Sequence, residues 1–206
     1  MGFSRIKVIL TTFETNLCDS MLGIHTLGVR HGARPDGSEK ADSEVYHSRP
    51  YSRIWQILRP VPLGLTDVFF DIGCGAGRVL CVVARKRISR CVGLELSKPL
   101  CELAAKNVAS LRGRRTPVEI VCVDAAFADY DHGTVYFLFN PFGPSTLKEV
   151  IKRIYQSTVR NPRNVRIVYL NPTAAHVIES SGWLRLVCRR TFLGSPTVCN
   201  YYDNQI

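Results

Sequence analysis

Three glycines at alternate positions stand between a strongly apolar run, Val68–Ile72, and a helical pattern. Glycine lets a backbone turn sharply and pass within contact distance of a ligand, and the first N–H groups of a following helix carry partial positive charge. A strand, a glycine-rich turn and a helix in this order are typical of a nucleotide-cofactor loop. The predicted cofactor contacts in this stretch are Asp71, Gly73, Cys74, Gly75 and Gly77.

The spacing of the glycines indicates the kind of cofactor. A dinucleotide loop reads G-x-G-x-x-G, and its third glycine would fall at position 78, where this chain has Arg78. This disfavours a nicotinamide-dependent oxidoreductase, which stays as an alternative. Two further alternatives are a tight turn without a ligand and a non-catalytic module that binds a cofactor or nucleic acid.

Polar residues also follow the next three predicted strands, namely Glu95, Asp124 with Ala125, and Asn140. Because parallel strands bring their carboxyl ends to one edge of a sheet, we expect these residues to lie near the glycine loop. An acidic residue at the end of the second strand is where such sites accept the two ribose hydroxyls, which predicts that role for Glu95.

The glycine loop, with Asp71 two residues ahead of it, resembles the first motif of class I S-adenosylmethionine-dependent methyltransferases. The resemblance covers about residues 46–206 and is strongest over Phe69–Phe142. It implies that the cofactor is S-adenosyl-L-methionine, that the loop packs against its methionine moiety, and that Asp124 and Ala125 hold its adenine.

The fourth predicted strand ends in Asn140, Pro141 and Phe142. This turn resembles the N/D-P-P-Y/F motif of methyltransferases that act on nitrogen, without its second proline. The longer segment Phe139–Pro144 resembles the N-x-F-x-F-G-P segment of the seven-strand, non-SET histone-lysine methyltransferases. Both resemblances imply an amine acceptor on a protein or a small molecule, with the turn residues Asn140, Pro141 and Phe142 as catalytic residues and Asn140 as a cofactor contact as well. In this prediction the side-chain oxygen of Asn140 and the carbonyl of Pro141 accept N–H groups of the amine, and Phe142 packs on the acceptor. A proline-rich turn that only closes a buried strand is the alternative.

Apolar strands alternate with helical patterns, which predicts an α/β, doubly wound, mostly parallel sheet covered on both faces. The family resemblance implies seven strands in the order 3-2-1-4-5-7-6, with an antiparallel last strand. We divide the chain into an N-terminal helical extension with a polar connector, residues 1–45, and a methyltransferase domain, residues 46–206.

Apolar residues near the N-terminus recur at spacings of three and four, which predicts one or two amphipathic helices. Their apolar stripe is expected to pack on the catalytic domain or to serve as a lid or partner-binding face. The stripe consists of Phe3, Ile6, Leu10, Phe13, Leu17, Met21 and Ile24.

Tyr46 and Tyr51 precede a predicted helix, Arg53–Leu58. In methyltransferases of this shape that segment often covers the cofactor, so the resemblance implies that one of these tyrosines contacts it. Aromatic packing alone is the alternative reading.

The chain carries a net charge of +10, and its arginine clusters fall in connections that lead from a helix into the next strand. These connections lie at the amino edge of a parallel sheet, away from the ligand. Nucleic acid is a candidate partner at this arginine-rich edge, and stabilisation of helix C-termini is the alternative. At the opposite edge we expect an acidic rim, suited to a cationic cofactor and a basic acceptor, made of Asp71, Glu95, Asp124, Asp129 and Asp131.

Eight cysteines are present, yet none are spaced as C-x-x-C and no histidine stands at ligand spacing from them. We expect free thiols and no metal site, and hence a reducing, cytoplasmic location. No apolar run reaches the length that spans a membrane, so a membrane partner is not expected.

Overall fold

The computed structural model describes residues 2–27, 49–192 and 195–204. The helices are α1 (Gly2–Leu22), α2 (Tyr51–Leu58), α3 (Arg78–Val83), α4 (Lys98–Ser110), α5 (Pro144–Arg160) and α6 (Ala175–Glu179), with a short 3₁₀ turn at Ala125–Phe127. The strands are β1 (Val68–Ile72), β2 (Arg90–Glu95), β3 (Val118–Cys122), β4 (Val135–Phe139), β5 (Arg166–Leu170), β6 (Arg185–Phe192) and β7 (Ser195–Asp203).

The seven strands of the described residues form one sheet in the order β3-β2-β1-β4-β5-β7-β6. The pairs among β1 to β5 are parallel, and β7 is antiparallel to both β5 and β6. The predicted fold class and strand order are therefore confirmed. Since the five parallel strands point the same way, the turns after β1, β2, β3 and β4 meet at one edge, which we call the carboxyl edge.

The sheet is buried on both faces, as an apolar parallel strand requires. Every residue of β1 is buried, and neighbouring side chains of a strand point to opposite faces. Phe69 accordingly packs in the core with Leu80 and Ile54, while Phe70 packs in the opposite core with Tyr136 and Leu147. Helices on both faces thus hold β1 and the turn that follows it in place.

Helix α1 confirms the predicted N-terminal helix, but its packed face differs from the predicted stripe. Thr15, Asp19 and Leu22 are buried, whereas the stripe residues Leu10 and Phe13 are 63% and 67% exposed. Leu17 and Met21 are exposed as well, Ile24 just beyond the helix is buried, and the side chains of Phe3 and Ile6 lie outside the described part of the structure. The reason is Asp19, whose carboxylate accepts hydrogen bonds from the N–H and hydroxyl of Thr26 and from the Tyr51 hydroxyl, and so turns this face inward.

The arginine clusters lie in the connections into β2, β3 and β5, at the amino edge as predicted. Part of this arginine-rich edge is engaged inside the fold. Arg163 donates to the carbonyls of Tyr130 and Gly133 at 2.8 and 2.7 Å, and Arg166 pairs with Asp67 at 2.5 Å. These two arginines stabilise the connections into β4 and β5, and nucleic-acid binding at this edge stays a prediction.

The predicted acidic rim is wrong for Asp129 and Asp131. The chain crosses back to the amino edge before β4 begins, so both residues stand in the connection that leads into that strand. There Asp131 forms an ion pair with Arg160, and its backbone carbonyl accepts a hydrogen bond from Asn161 at 3.2 Å.

All eight cysteines are free thiols. Within the described residues, no helix combines the length and the apolar character needed to cross a bilayer. The boundary between residues 45 and 46 lies outside the described residues, and the division into an extension and a methyltransferase domain stays a prediction.

Candidate active site at the carboxyl edge

The glycines of the loop after β1 adopt a backbone conformation that L side chains rarely take. The φ angles of Gly73, Gly75 and Gly77 are 77°, 54° and 78°. A Cβ on Gly73 would lie 2.6 Å from the Cβ of Pro141, and one on Gly77 would lie 3.3 Å from the Cβ of Ala104. The first glycine therefore lets the turn after β4 lie against the loop, and the third lets α4 approach it.

Backbone hydrogen bonds tie this loop to the end of β2. The N–H groups of Gly73 and Cys74 donate to the carbonyl of Leu94 at 2.8 and 3.0 Å. The N–H of Gly75 donates to Oε2 of Glu95 at 2.9 Å. Burial raises the pKa of the Cys74 thiol well above its usual range, and the Asp71 charge is the next cause. Cys74 therefore lines the site as a neutral thiol.

Glu95 organises two segments of backbone at once. While Oε2 binds Gly75, Oε1 accepts the N–H groups of Leu96 and Ser97, each at 2.9 Å. The half-buried carboxylate thus fixes both the glycine loop and the start of α4. Its predicted role toward ribose hydroxyls stays a prediction.

Asp71 is a buried carboxyl at the centre of the site. Its side chain is 3% exposed, and Oδ2 has no hydrogen-bond partner among the described residues. Burial, with a smaller contribution from the charge of Glu95, raises the pKa of Asp71 to about 8. A buried polar atom without a partner is rare in proteins and calls for a cause such as a bound water, an ion or a ligand.

Asp124 and Ala125 follow β3, which pairs with β2 so that Cys122 lies beside Glu95. Both residues are half-buried. Oδ1 of Asp124 accepts the N–H of Ala126 at 3.0 Å and so caps the short 3₁₀ turn. This places the predicted adenine-binding residues at the carboxyl edge, next to the end of β2.

Asn140 stands directly after β4 with a φ of 39°, in the left-handed region. Its Oδ1 accepts hydrogen bonds from the Tyr169 hydroxyl at 3.2 Å and from the Thr173 hydroxyl. Sequence reasoning missed Tyr169 and Thr173. The signal that could have found them is their position at the end of β5, the strand next to β4 in the sheet.

The other two residues of this turn have different surroundings. Pro141 lies against Gly73 of the cofactor loop. Phe142 is 7% exposed and packs in the core on the α5 side. The predicted contact of Phe142 with an acceptor stays a prediction.

Of the two predicted tyrosines, Tyr46 lies outside the described residues. Tyr51 is fully buried, its hydroxyl donates to Asp19 at 2.5 Å, and its ring lies 5.2 Å from the Arg78 guanidinium carbon. Arg78 itself lines a pocket with Asp71 and Gly73, so Tyr51 supports this pocket from behind. The sequence marks Arg78 only as the residue that stands where a dinucleotide loop has its third glycine.

These residues fit a sulfonium nucleoside cofactor better than a dinucleotide. The glycine loop gives close backbone approach, and the half-buried carboxylate of Glu95, bound to the N–H of Gly75, supplies negative charge where a cationic group would bind. A dinucleotide loop would instead have its third glycine at position 78, where this chain has Arg78.

A family model described as "Histone methylation protein DOT1" matches residues 38–128. The match includes the glycine loop, Glu95 and Asp124 and ends before Asn140. Comparison with curated protein sequences gives no match.

Solved structures of methyltransferases share the fold. An RNA methyltransferase from Salinibacter ruber, solved with S-adenosyl-L-homocysteine, has a TM-score of 0.57 and 21% identity, over 77% of this chain and 94% of that one. The N-methyltransferase NodS from Bradyrhizobium japonicum has a TM-score of 0.56 and 13% identity, over 74% and 93%. A ribosomal protein L11 methylase from Lactobacillus delbrueckii has a TM-score of 0.58 and 8% identity, over 78% and 81%. At these identities the likeness establishes the fold.

Proposed function

We propose that this S-adenosylmethionine-dependent methyltransferase transfers its methyl group to the nitrogen of an amine, and that a protein lysine is the favoured acceptor. The match to the histone-methylation family model over residues 38–128 supports a protein acceptor. The Asn140-Pro141-Phe142 turn, which resembles the motif of nitrogen methyltransferases, supports an amine. We also propose a cytoplasmic location, which the free thiols favour.

The observation that carries the proposal is the contact between Pro141 and Gly73. The glycine loop and the acceptor-type turn come from different strands, β1 and β4, which are neighbours in the sheet. Only the missing side chain of Gly73 lets Pro141 lie against the loop, because an added Cβ would be 2.6 Å from the proline Cβ. The glycine loop and the turn after β4 therefore form one continuous wall of the candidate active site.

When bound, the cofactor supplies a methyl group on a positively charged sulfur, which a nucleophile displaces in line. Such a reaction gains most from positioning the nucleophile. The carbonyl of Pro141 accepts an N–H of the entering amine in this proposal, which aims the nitrogen lone pair along the wall that Gly73 and Pro141 form.

The role of Asn140 is to fix this turn. A carboxamide oxygen has two lone pairs, and the hydroxyls of Tyr169 and Thr173 occupy both. The side chain is thus held in one orientation, and the NH₂ group is the side of the carboxamide that remains for substrate or backbone. Truncating the Asn140 side chain removes both hydrogen bonds, which frees the turn after β4 to move relative to the glycine loop.

The amine must lose a proton before it attacks, since a lysine side chain has an ordinary pKa of about 10.4. Removal from water favours the neutral amine. The carboxyls of Glu95 and Asp124 make the carboxyl edge acidic, which tolerates a basic substrate on approach. No side chain is assigned as a dedicated base, and the proton leaves to solvent.

The proposal is tested with purified protein and S-adenosylmethionine carrying a deuterated methyl group. One sample contains cell-extract protein treated with nuclease, and a second contains extract nucleic acid treated with protease. Mass spectrometry should find the label on lysine Nε in the first sample. Label in the nucleic acid, or on an oxygen as a base-labile ester, would contradict the amine assignment. Heat-denatured protein is the control for non-enzymatic methylation.

A further inference from the structure

One face of helix α1 is both apolar and exposed. Its large side chains are between 51% and 68% exposed. With about 3.6 residues per turn, they fall within roughly a third of the helix circumference and form what we call the exposed stripe of α1. The exposed stripe consists of Ile9, Leu10, Phe13, Leu17 and Met21. Contiguous apolar patches on a protein surface mark sites of interaction.

Hydrogen bonds on the other side of α1 hold the exposed stripe outward. The carboxylate of Asp19 accepts from the N–H of Thr26 and from the hydroxyl of Tyr51. The carboxylate of Glu14 accepts from the N–H of Ser52 at 2.5 Å and from its hydroxyl at 3.1 Å. Bonds to a charged acceptor are the stronger class of hydrogen bond, and turning the stripe inward would break all of them.

The spacing within the exposed stripe is that of helices which pair along a seam. Leu10, Phe13 and Leu17 follow one another at intervals of three and four residues. Apolar residues at these alternating intervals are the a and d positions of a coiled coil, whose side chains insert between those of a facing helix. The stripe is therefore shaped to meet another helix.

The charges of α1 favour a protein partner over a lipid surface. A helix that lies on a membrane carries lysines and arginines beside its apolar face. Between Val8 and Leu22 the sequence has neither, and its two charged residues are the acidic Glu14 and Asp19. Both bond to the rest of the fold, so the exposed stripe itself is uncharged.

The area and the neutrality of the exposed stripe suit a second copy of this chain. Five side chains at this exposure present on the order of 600 Å² of apolar surface, and a standard interface buries roughly 800 Å² on each partner. The exposed, uncharged Asn16 and Ser20 lie beside the stripe and extend it. A two-fold axis brings one patch against its own copy. Although the chain carries a net charge of +10, two copies meet at this face without repulsion between like charges.

We propose that two copies of this chain associate about a two-fold axis through the exposed stripe of α1, with Leu10, Phe13 and Leu17 at the centre of a helix-to-helix contact. This association is independent of the proposed methyl acceptor. It also fixes the helix that lies behind the candidate active site, because Asp19 binds the hydroxyl of Thr26, which in turn accepts from Arg78 at 2.7 Å.

Sedimentation velocity of the full chain across a wide range of protein concentration tests the proposal. The mass should reach twice the 23.1 kDa of one chain. Phe13→Glu combined with Leu17→Glu should sediment as a single chain at the same concentrations, because it places carboxylates of both copies in one apolar contact. The matched control is Leu65→Glu combined with Val159→Glu, at positions 74% and 62% exposed. It adds the same charge and should still form the dimer.

A photoreactive phenylalanine analogue at position 13 keeps the apolar side chain and covers the case in which the Phe13 and Leu17 variant does not fold. Light should link two chains covalently, and the same analogue at position 159 should not. A single chain at every concentration, a dimer that survives the Phe13 and Leu17 substitutions, or no link through position 13 would overturn the proposal. Flotation with vesicles of phosphatidylserine and phosphatidylcholine tests the lipid alternative. Binding that the same substitutions abolish would assign the stripe to a membrane surface and overturn the proposal as well.

Discussion

The backbone N–H of Gly75 donates to the Glu95 carboxylate at 2.9 Å, which joins the turn after β1 to the end of β2. The same carboxylate accepts the N–H groups of Leu96 and Ser97. One side chain therefore organises the backbone on both sides of the predicted ribose position, and its loss should affect the shape of the site as well as the ligand contacts.

Glu95→Ala should weaken binding of S-adenosyl-L-homocysteine by roughly 1.5–3 kcal/mol, the range for charge-assisted hydrogen bonds. The thermal midpoint without ligand should also fall, because three backbone donors lose their acceptor. Calorimetry and thermal unfolding measure the two effects. An unchanged affinity would show that the carboxylate acts only on the backbone.

The raised pKa of Asp71 predicts a pH dependence of stability. This carboxyl has a pKa of about 8 in the folded chain and an ordinary value of 3.8. Between these values the folded state keeps a proton that the unfolded state has lost, so the free energy of unfolding falls as pH rises. Asp71→Asn cannot ionise and should lose this part of the slope.

Urea unfolding of the parental chain and Asp71→Asn at intervals from about pH 5 to pH 8 measures the difference. Parental stability should decline relative to the variant as pH rises. A constant difference across this range would contradict the burial of an unpaired Asp71.

Gly73→Ala tests the contact between the cofactor loop and the acceptor turn. The substitution meets both an unfavourable φ of 77° and the Pro141 side chain. Gly182 has a similar φ of 79° with nothing within 4 Å of an added Cβ, so Gly182→Ala is the matched control. The control should lose about 1–2 kcal/mol of stability from the left-handed backbone alone.

Gly73→Ala should be less stable than Gly182→Ala and should also bind S-adenosyl-L-homocysteine more weakly, whereas the control should bind normally. Chemical unfolding and calorimetry give the two quantities. Equal stability and equal binding for the two variants would mean that Pro141 moves aside freely and that the two turns do not form one wall.

The sequence predicts those parts of the site whose residues all lie in one short segment of the chain. An apolar run followed by glycines predicts β1 and its loop, and the polar residue that ends a strand predicts Glu95, Asp124 and Asn140. The sequence does not indicate Tyr169 and Thr173, because these residues contact Asn140 only as a result of the pairing of β4 with β5. That pairing depends on the assembled sheet.

Two expectations failed because a local pattern does not show where a chain turns. The apolar spacing of the N-terminal helix predicts its buried face, yet the hydrogen bonds of Asp19 bring the opposite side inward. The acidic residues Asp129 and Asp131 follow Asp124 closely in sequence, but the chain has crossed the sheet before it reaches them. Arg78 shows the same limit, since its partners Thr26 and Arg49 come from distant segments.

We propose that the Asn140 turn takes part in methyl transfer at a cofactor site built by the glycine loop. It is tested most directly by Asn140→Ala, measured for S-adenosylmethionine affinity, thermal midpoint and single-turnover rate with the identified acceptor. Affinity should stay near the parental value while the rate falls on the order of a hundredfold, as for other groups that position a reacting centre. A variant that melts at a lower temperature yet transfers methyl at the parental rate would leave Asn140 as a structural cap of β4 and contradict its role in methyl transfer.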